Sequence, residues 1–277
     1  MIAYIHIPKT GGQSLAYMLR STYGLFHCDA QPWLGSNIGD PSVTRDSVVP
    51  KLELEDLQRL KRVYPKLKSL GGHSITLYSG VDTLWTNVRY LAFMREPVAR
   101  GASHYQFHIR HDAITLDWND WVNWEVHHNQ QAKMLSRISN ADDAIHNIIE
   151  KDIFIGLTER YDESLVIFKG LFANDLNLAY KQVNVARDNV IAKEILGNKE
   201  KCDAIKEYSQ EDLRLYDYVV NEHYPRFQKE YGPTLESDVM AFRKNKSAQM
   251  NKLNLLLFRL YNKAVYKPAL QIYRSTH

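Results

Sequence analysis

The sequence predicts an α/β fold, a parallel sheet flanked by helices. Four apolar runs at 2–7, 68–74, 88–94 and 153–157 have the length and composition of buried strands. Helical periodicity between and after them is present at 12–22, 53–63, 97–109, 117–136, 140–151, 161–172 and 208–230. Strands that alternate with helices are typical of a parallel sheet covered on both faces. At 277 residues, 44% of them hydrophobic, the chain is long enough to bury the core of one large domain.

The first predicted strand leads into the loop Pro8–Ser14, which contains Lys9 and two glycines. A helical pattern follows, with apolar residues at Leu15, Met18 and Leu19. The loop amides and the helix dipole point positive charge at one spot, and Lys9 adds a full cation. In the nucleoside-triphosphate loop the lysine follows the second glycine, whereas here it precedes both. The loop therefore predicts a site for a phosphate-like group other than that of ATP.

A second motif follows the predicted strand at 88–94. Arg95 stands where that strand ends, which is where open α/β sheets bind ligands. Pro97 suits the first turn of a helix, and Ser103 comes three residues after Arg100 on that helix. A guanidinium and a hydroxyl together suit a terminal phosphate. Two anion sites at two strand ends predict one ligand that carries separated anionic groups.

Together the two motifs resemble those of sulfotransferases that use 3′-phosphoadenosine 5′-phosphosulfate. That family has P-K-T-G-G/A-x-S near one strand and R-x-P-x-x-R-x-x-S-x-Y near another, and Pro8–Ser14 and Arg95–Tyr105 match without a gap. The branch that the chain resembles most contains heparan sulfate 2-O-sulfotransferase and related carbohydrate enzymes. Supporting stretches are Gly72-His73, 129–136, 156–161 and 212–216. The similarity spans roughly residues 2 to 220.

The resemblance implies a P-loop-like sulfotransferase fold and transfer of a sulfuryl group to a carbohydrate hydroxyl by in-line displacement. The 5′-phosphosulfate is expected to contact the loop and helix start, and Arg95 and Ser103 to hold the 3′-phosphate. Lys9 would neutralise charge on the leaving phosphate, and no metal is expected. The expected loop contacts are Pro8, Lys9, Thr10, Gly11, Gly12, Gln13, Ser14 and Leu15.

The acceptor hydroxyl needs a base, and histidine suits this role because its pKa lies near the working pH. The candidate is His73, which ends an apolar stretch and follows two glycines. By itself the pattern is also that of a histidine held in place by a structural hydrogen bond. The resemblance implies the catalytic role, because the 2-O-sulfotransferase branch has its histidine after a glycine in this region. His6, next to the loop, is the second candidate, and His108 or Glu96 would come next.

Two alternative functions stay open. One is a nucleotide or small-molecule kinase with a variant phosphate loop, although no clear acidic pair for magnesium lies near the loop. The other is a sulfotransferase that acts on a small-molecule or peptide hydroxyl. His104, His108 and His111 have the spacing of metal ligands on one helix face, but no acidic partner completes a recognised signature.

Composition limits which binding partners and which cellular compartment are expected. The formal net charge of +3 suits an anionic cofactor without predicting nucleic-acid binding. Cys28 and Cys202 form no disulfide framework. Because Met1 directly precedes the first strand, we expect no signal peptide or anchor, and hence a bacterial cytoplasmic enzyme that could lie at the inner face of the membrane.

The C-terminal segment is predicted to be a basic amphipathic helix. We expect a catalytic domain over 1–240 and a helical tail over 241–277 packed on it. The predicted apolar face consists of Leu253, Leu256, Leu257, Leu260, Ala264 and Val265, until Pro268 interrupts the helix. That face is expected to dock on the catalytic domain or on a second copy in a homo-oligomer, or to contact an anionic membrane through 250–267.

Overall fold

The computed structural model describes residues 1–33, 51–111, 117–179, 189–244 and 249–276. These residues contain five strands: β1 Ile2–Ile5, β2 His27–Asp29, β3 Ser69–Gly72, β4 Arg89–Met94 and β5 Phe154–Leu157. The first eight α-helices are α1 Gly12–Tyr23, α2 Leu54–Val63, α3 Val81–Leu84, α4 Pro97–His111, α5 Trp118–Asn123, α6 Gln130–Leu135, α7 Ala141–Glu150 and α8 Tyr161–Phe172. The others are α9 Val190–Leu196, α10 Lys199–Tyr208, α11 Gln210–Tyr218, α12 Tyr224–Tyr231, α13 Leu235–Lys244, α14 Lys252–Tyr261 and α15 Lys267–Thr276.

The five strands form one parallel sheet in the order β2-β3-β1-β4-β5. In the middle of the sheet Ile2 pairs with Ser69 of β3 on one side and with Arg89 of β4 on the other. From β1 the chain builds one side of the sheet with β2 and β3, and then crosses to build the other side with β4 and β5. The strand order therefore reverses at β1, and such a switch point is where open parallel sheets bind ligands. The α/β class and the parallel sheet predicted from the sequence are confirmed.

Burial explains the apolar strands. All four residues of β1 and all four of β5 are buried, as are the five residues of β4 from Tyr90 to Met94. Helices on both faces exclude water from such strands, so no polar alternation appears in the sequence. Strand β2 was missed because it has three residues, two of them polar. His27 is nevertheless buried, and its ring bonds the Ser69 hydroxyl (2.7 Å) and the Asp29 carboxylate (3.0 Å).

The continuous helix predicted over 117–136 is wrong. The structure has two short helices, α5 and α6, with a 3₁₀ turn at Glu125–His127 between them. Asn129 takes a left-handed conformation (φ 46°), and its side-chain oxygen accepts hydrogen bonds from the backbone N–H groups of Glu211 and Asp212. In return the Asp212 carboxylate caps the first turn of α6. Contacts with α11, distant in sequence, thus override local periodicity.

Helices α3, α9, α10 and α13 are additional to those predicted, and α13 crosses the predicted domain boundary at residue 240.

Two prolines lie inside helical runs without ending them. Pro225 and Pro268 are each the second residue of a helix, and in both cases a five-residue π-helical segment precedes that helix, Val219–His223 and Asn262–Tyr266. Proline lacks an N–H and its ring clashes with the carbonyl four residues earlier, so a locally wider turn accommodates it. Pro268 therefore does not interrupt the C-terminal helix as predicted, and the helical path continues from Lys252 to Thr276.

The C-terminal helical path packs on the rest of the chain through a face other than the predicted one. Asn254 donates to the carbonyls of Ser21 and Thr22 at the end of α1. Phe258, Tyr266 and Leu270 are buried. In contrast Leu253, Leu256 and Leu260 are 63%, 51% and 55% exposed, so the predicted docking face points to solvent. Within the described residues, no helix combines the length and apolar character needed to cross a bilayer.

Thr158 ties together the ends of strands on one side of the sheet. Its hydroxyl follows β5 and lies 3.0 Å from the carbonyl oxygen of Thr10 and 2.9 Å from that of Met94, so its hydrogen is shared between them. Thr158→Val keeps the shape of the side chain but removes the hydroxyl that donates to the two carbonyls. We expect the free energy of unfolding to fall by about 1–2 kcal/mol in urea denaturation.

Thr83→Val is the matched control, because the Thr83 hydroxyl makes one exposed bond, to the carbonyl of Gly80 at the start of α3. Thr83→Val should lower the free energy of unfolding by less than about 0.5 kcal/mol. Equal effects of the two substitutions would contradict a special role for Thr158.

Candidate anion-binding and proton-transfer site

The loop after β1 presents an uncapped helix N-terminus. Lys9 (φ 69°) and Gly11 (φ 84°) are both left-handed, and this brings the chain into α1 at Gly12. Among the described residues no side chain is found to cap α1, and no acidic residue lies in its first turn. The start of the helix is therefore suited to an anion, which the helix dipole favours there.

Gly12 is required because there is no room for a side chain. A Cβ atom at this position would lie 2.0 Å from Nε2 of His6 and 2.2 Å from the buried hydroxyl of Tyr4. The His6 ring is held from both sides, stacked on Tyr4 (5.3 Å between centroids) and on His73 (3.9 Å). Close approach of α1 to these rings thus fixes the loop against the sheet.

The predicted loop residues differ in what they can offer a ligand. The Thr10 side chain is buried and its hydroxyl donates to the Ile7 carbonyl (2.9 Å), so this hydroxyl stabilises the loop. Leu15 is fully buried in the core and can offer only its backbone, and Pro8 has no N–H. Gln13 is exposed at the helix start and Ser14 is buried in the first turn.

Lys9 and Arg95 come together. The Arg95 guanidinium lies 3.4 Å from the Lys9 carbonyl, through Nη1. The Lys9 ammonium lies 4.3 Å from the centre of the Phe107 ring. Burial, together with the charge of Arg95, lowers the pKa of Lys9 to about 8. An anion placed here would relieve this repulsion, so the two cations favour a ligand with negative charge.

Arg95 is positioned by a residue that the sequence analysis did not single out. The side-chain amide of Gln131 accepts from the Arg95 N–H (3.0 Å) and donates to the Arg95 carbonyl (2.9 Å). Gln131 is fully buried, and it lies within the stretch 129–136 that contributes to the resemblance. This pair of bonds fixes the backbone at the end of β4.

Ser103 is half-buried in the second turn of α4, and no hydrogen bond joins it to Arg95 in the described part of the chain. Glu96 caps α4, since its carboxylate accepts from the N–H groups of Val98 (3.0 Å) and Ala99 (2.6 Å). Glu96 is therefore engaged structurally, which weakens it as an alternative base.

His73 follows β3 at the same edge of the sheet. Its Nδ1 lies 2.9 Å from the His6 carbonyl oxygen. Because a carbonyl can only accept, Nδ1 carries the proton, and in the neutral ring Nε2 keeps its lone pair. Desolvation by the surrounding protein lowers the pKa of His73 below its ordinary value, the bond to the His6 carbonyl opposes this, and the charge of Lys51 adds to the lowering. The ring is thus a neutral imidazole at pH 7 with a basic nitrogen available.

Lys51 is a further cation beside His73. Its ammonium lies 3.4 Å from the His73 carbonyl and 3.0 Å from the Met134 sulfur. Burial lowers the pKa of Lys51 to about 8, and the charge of Lys133 contributes. No local pattern in the sequence marks Lys51.

A buried cluster of polar side chains lies along α4. His104, His108 and His127 approach one another, with a nitrogen from each lying within 4.8 Å of the others. The side chain of His111 lies outside the described residues. Arg100 is fully buried, and no hydrogen-bond partner for its guanidinium is found among the described residues. Its charge, after burial, lowers the pKa of His104. A fixed positive charge opposes a metal cation, so we derive no metal chemistry from this cluster.

No protein-family model matches this chain, and no curated protein matches it. A function for the chain must therefore be inferred from the two motifs and from the geometry of the site.

Gly12→Ala tests whether packing at the loop supports His6. The added methyl group would displace His6 or α1, at a cost of about 1–3 kcal/mol, which for a chain of this size lowers the melting temperature by several degrees. Gly197→Ala is the control, because its Cβ would meet atoms no closer than 3.4 Å. Equal melting temperatures for the Gly12→Ala and Gly197→Ala proteins would contradict the role assigned to Gly12.

Proposed function

We propose that the chain is a sulfotransferase that moves the sulfuryl group of 3′-phosphoadenosine 5′-phosphosulfate to a hydroxyl of a carbohydrate. The observation that carries the proposal is the convergence at one edge of the sheet. In the described part of the chain, a helix N-terminus without a side-chain cap follows β1, with Lys9 and Arg95 beside it, and a neutral histidine follows β3 with no hydrogen bond found at its Nε2. Separate anion-binding groups and a base are what this reaction needs, and the two sequence motifs support the same reading.

In the proposed mechanism the loop and the start of α1 bind the 5′-phosphosulfate through backbone N–H groups. Arg95 binds the 3′-phosphate, with Ser103 as the other candidate contact. As the sulfur–oxygen bond to the 5′-phosphate breaks, the electron pair stays on the phosphate oxygen. Lys9 offsets that growing charge, so its contribution is larger in the transition state than in the ground state.

At the other end of the displacement, Nε2 of His73 takes the proton of the acceptor hydroxyl as its oxygen attacks sulfur. The bond from Nδ1 to the His6 carbonyl holds the ring in the tautomer that this step requires. Lys51 lies beside His73 and favours an acceptor that carries negative charge. Polysaccharide, oligosaccharide and glycolipid hydroxyls all belong to the proposed acceptor class.

Two measurements test the proposal. The product 3′,5′-adenosine bisphosphate should raise the melting temperature, and labelled sulfate should pass from the donor to carbohydrate in cell-envelope fractions. Stabilisation by ATP and magnesium, with none by the bisphosphate, would indicate a kinase instead. Binding of the bisphosphate without transfer to any acceptor would indicate a binding module, and label only in small metabolites or protein would reject a carbohydrate acceptor.

Substitutions should separate the three roles. Lys9→Ala should lower kcat by roughly 10²-fold or more, because it removes charge stabilisation of the transition state. Arg95→Ala should weaken bisphosphate binding by about tenfold or more, since the charge-assisted contact to the 3′-phosphate is lost in the ground state as well as in the transition state. His73→Asn should lower kcat by roughly 10²-fold to 10⁴-fold with bisphosphate affinity nearly unchanged.

The asparagine variant is the informative one at position 73, because its amide can still donate to the His6 carbonyl while it cannot take a proton. Activity within a few-fold of the unsubstituted protein would overturn His73 as the base, and His6 would be examined next. Unchanged bisphosphate affinity in Arg95→Ala would overturn the 3′-phosphate assignment.

The affinity for the bisphosphate should depend on pH through Lys9. With a pKa of about 8 in the free protein, Lys9 loses its charge as pH rises above that value. The dissociation constant should then increase by up to about tenfold per pH unit, because binding requires the proton. Arg95 stays charged in this range, whereas Lys51 also has a pKa of about 8.

Isothermal titration from pH 7 upward measures this dependence. Lys9→Arg, which keeps its charge throughout the range, should give a nearly constant dissociation constant. If Lys9→Arg shows the same pH dependence as the unsubstituted protein, Lys51 rather than Lys9 is the titrating group.

A further inference from the structure

Charge is distributed very unevenly along the chain. Of the 35 Lys and Arg residues, eight lie in residues 239–277, and none of the 32 Asp and Glu residues does. The first 238 residues therefore carry 27 basic and 32 acidic side chains, a formal charge of −5, while the last 39 carry +8. The net charge of the whole chain is therefore weakly positive although residues 1–238, which we call the body, are acidic and the C-terminal segment is strongly basic.

The helical path from Lys252 to Thr276 is anchored to the body along one side. Asn254 donates to the carbonyls of Ser21 (3.0 Å) and Thr22 (2.8 Å), and Arg274 donates to the Pro32 carbonyl (2.7 Å). Between these ends the Tyr261 hydroxyl donates to the Val63 carbonyl, and Tyr266 is 1% exposed. Anchors along nearly the whole length hold the helix flat on the body, with its opposite side outward.

The outward side combines leucines with cations. Leu253, Leu256 and Leu260, spaced by three and four residues, form what we call the leucine stripe, and each is more than half exposed. The exposed basic residues Lys252, Arg259 and Lys263 lie beside it. On an α-helix with 3.6 residues per turn, the stripe lies between the basic residues and the side anchored through Asn254 and Phe258. Apolar and basic groups thus share the surface that points away from the body.

We propose that this surface binds the headgroup region of an anionic lipid bilayer, with the helix in the plane of the membrane. Leucines that enter the interfacial region beside lysines and arginines at the anionic headgroups are the pattern of interfacial helices. The helical path is about 37 Å long at 1.5 Å per residue, which provides an extended contact line.

Charge is also the reason for choosing lipid over a second copy. A two-fold contact through the leucine stripe would place the same patch of each copy against the other. The basic residues Lys252, Arg259 and Lys263 would then lie against the same basic patch of the other copy, with no acidic residue after Asp238 to compensate. An anionic membrane covers the leucines and neutralises the cations together.

Co-sedimentation of the full chain with vesicles tests the proposal. We expect binding to vesicles of phosphatidylcholine mixed with phosphatidylglycerol, weak binding to phosphatidylcholine alone, and loss of binding at high salt. The variant L253S/L256S/L260S should bind at least about tenfold more weakly, because it removes apolar area that the membrane would bury. The variant K252Q/R259Q/K263Q should bind the anionic vesicles about a hundredfold more weakly, because three cations at the headgroups are removed.

The control is I138S/I149S, since both isoleucines are strongly exposed but lie far along the chain from the helix. Its binding should equal that of the unsubstituted protein, and melting temperatures should be similar for all four proteins. The proposal is overturned by no binding to anionic vesicles, by equal binding to neutral ones, or by binding that neither triple variant weakens. A dimer in sedimentation that L253S/L256S/L260S converts to a monomer, without vesicle binding, would show a second copy as the occupant. None of these readouts involves sulfuryl transfer.

Discussion

The close approach of Gly12 to the rings of His6 and Tyr4 is the constraint on which the rest of the site depends. Only a residue without Cβ lets α1 begin against the end of β1, and this position directs the helix N-terminus towards the carboxyl edge of the sheet. The same contact holds His6, whose carbonyl orients His73 and whose ring stacks on it. One steric condition therefore couples the loop after β1 to the basic nitrogen of His73, although the two follow different strands.

Desolvation at this edge gives the two groups the protonation states that the proposed reaction needs. It lowers the pKa of Lys9 only to about 8, so the ammonium stays largely charged at neutral pH. It lowers the pKa of His73 from a value already below 7, so the imidazole stays neutral. A single physical effect thus leaves one group as a cation and the other as a base, because their ordinary pKa values lie on opposite sides of the working pH.

The sequence predicts well what is determined locally. Four of the five strands were predicted because burial on both faces requires continuous apolar runs, and the loop with Lys9 was placed after the correct strand. What it missed depends on long-range contacts. Gln131 acquires its role from the backbone of Arg95, and Lys51 is significant because of the neighbouring His73. The three-residue strand β2 is stabilised by pairing with β3, and Asp212 breaks the predicted helix over 117–136 from eighty residues away.

The C-terminal helix shows why the most apolar face of a helix is not always the buried one. Its anchored side gains hydrogen bonds from Asn254 to backbone carbonyls at the end of α1 and from Arg274 to the carbonyl of Pro32. It also buries Phe258 and Tyr266, large side chains that gain more from burial than leucine does. Satisfying those carbonyls fixes the rotation of the helix, and the leucine stripe then faces outward. Periodicity measures only the apolar contribution, so it identifies an amphipathic helix without determining which side meets the body.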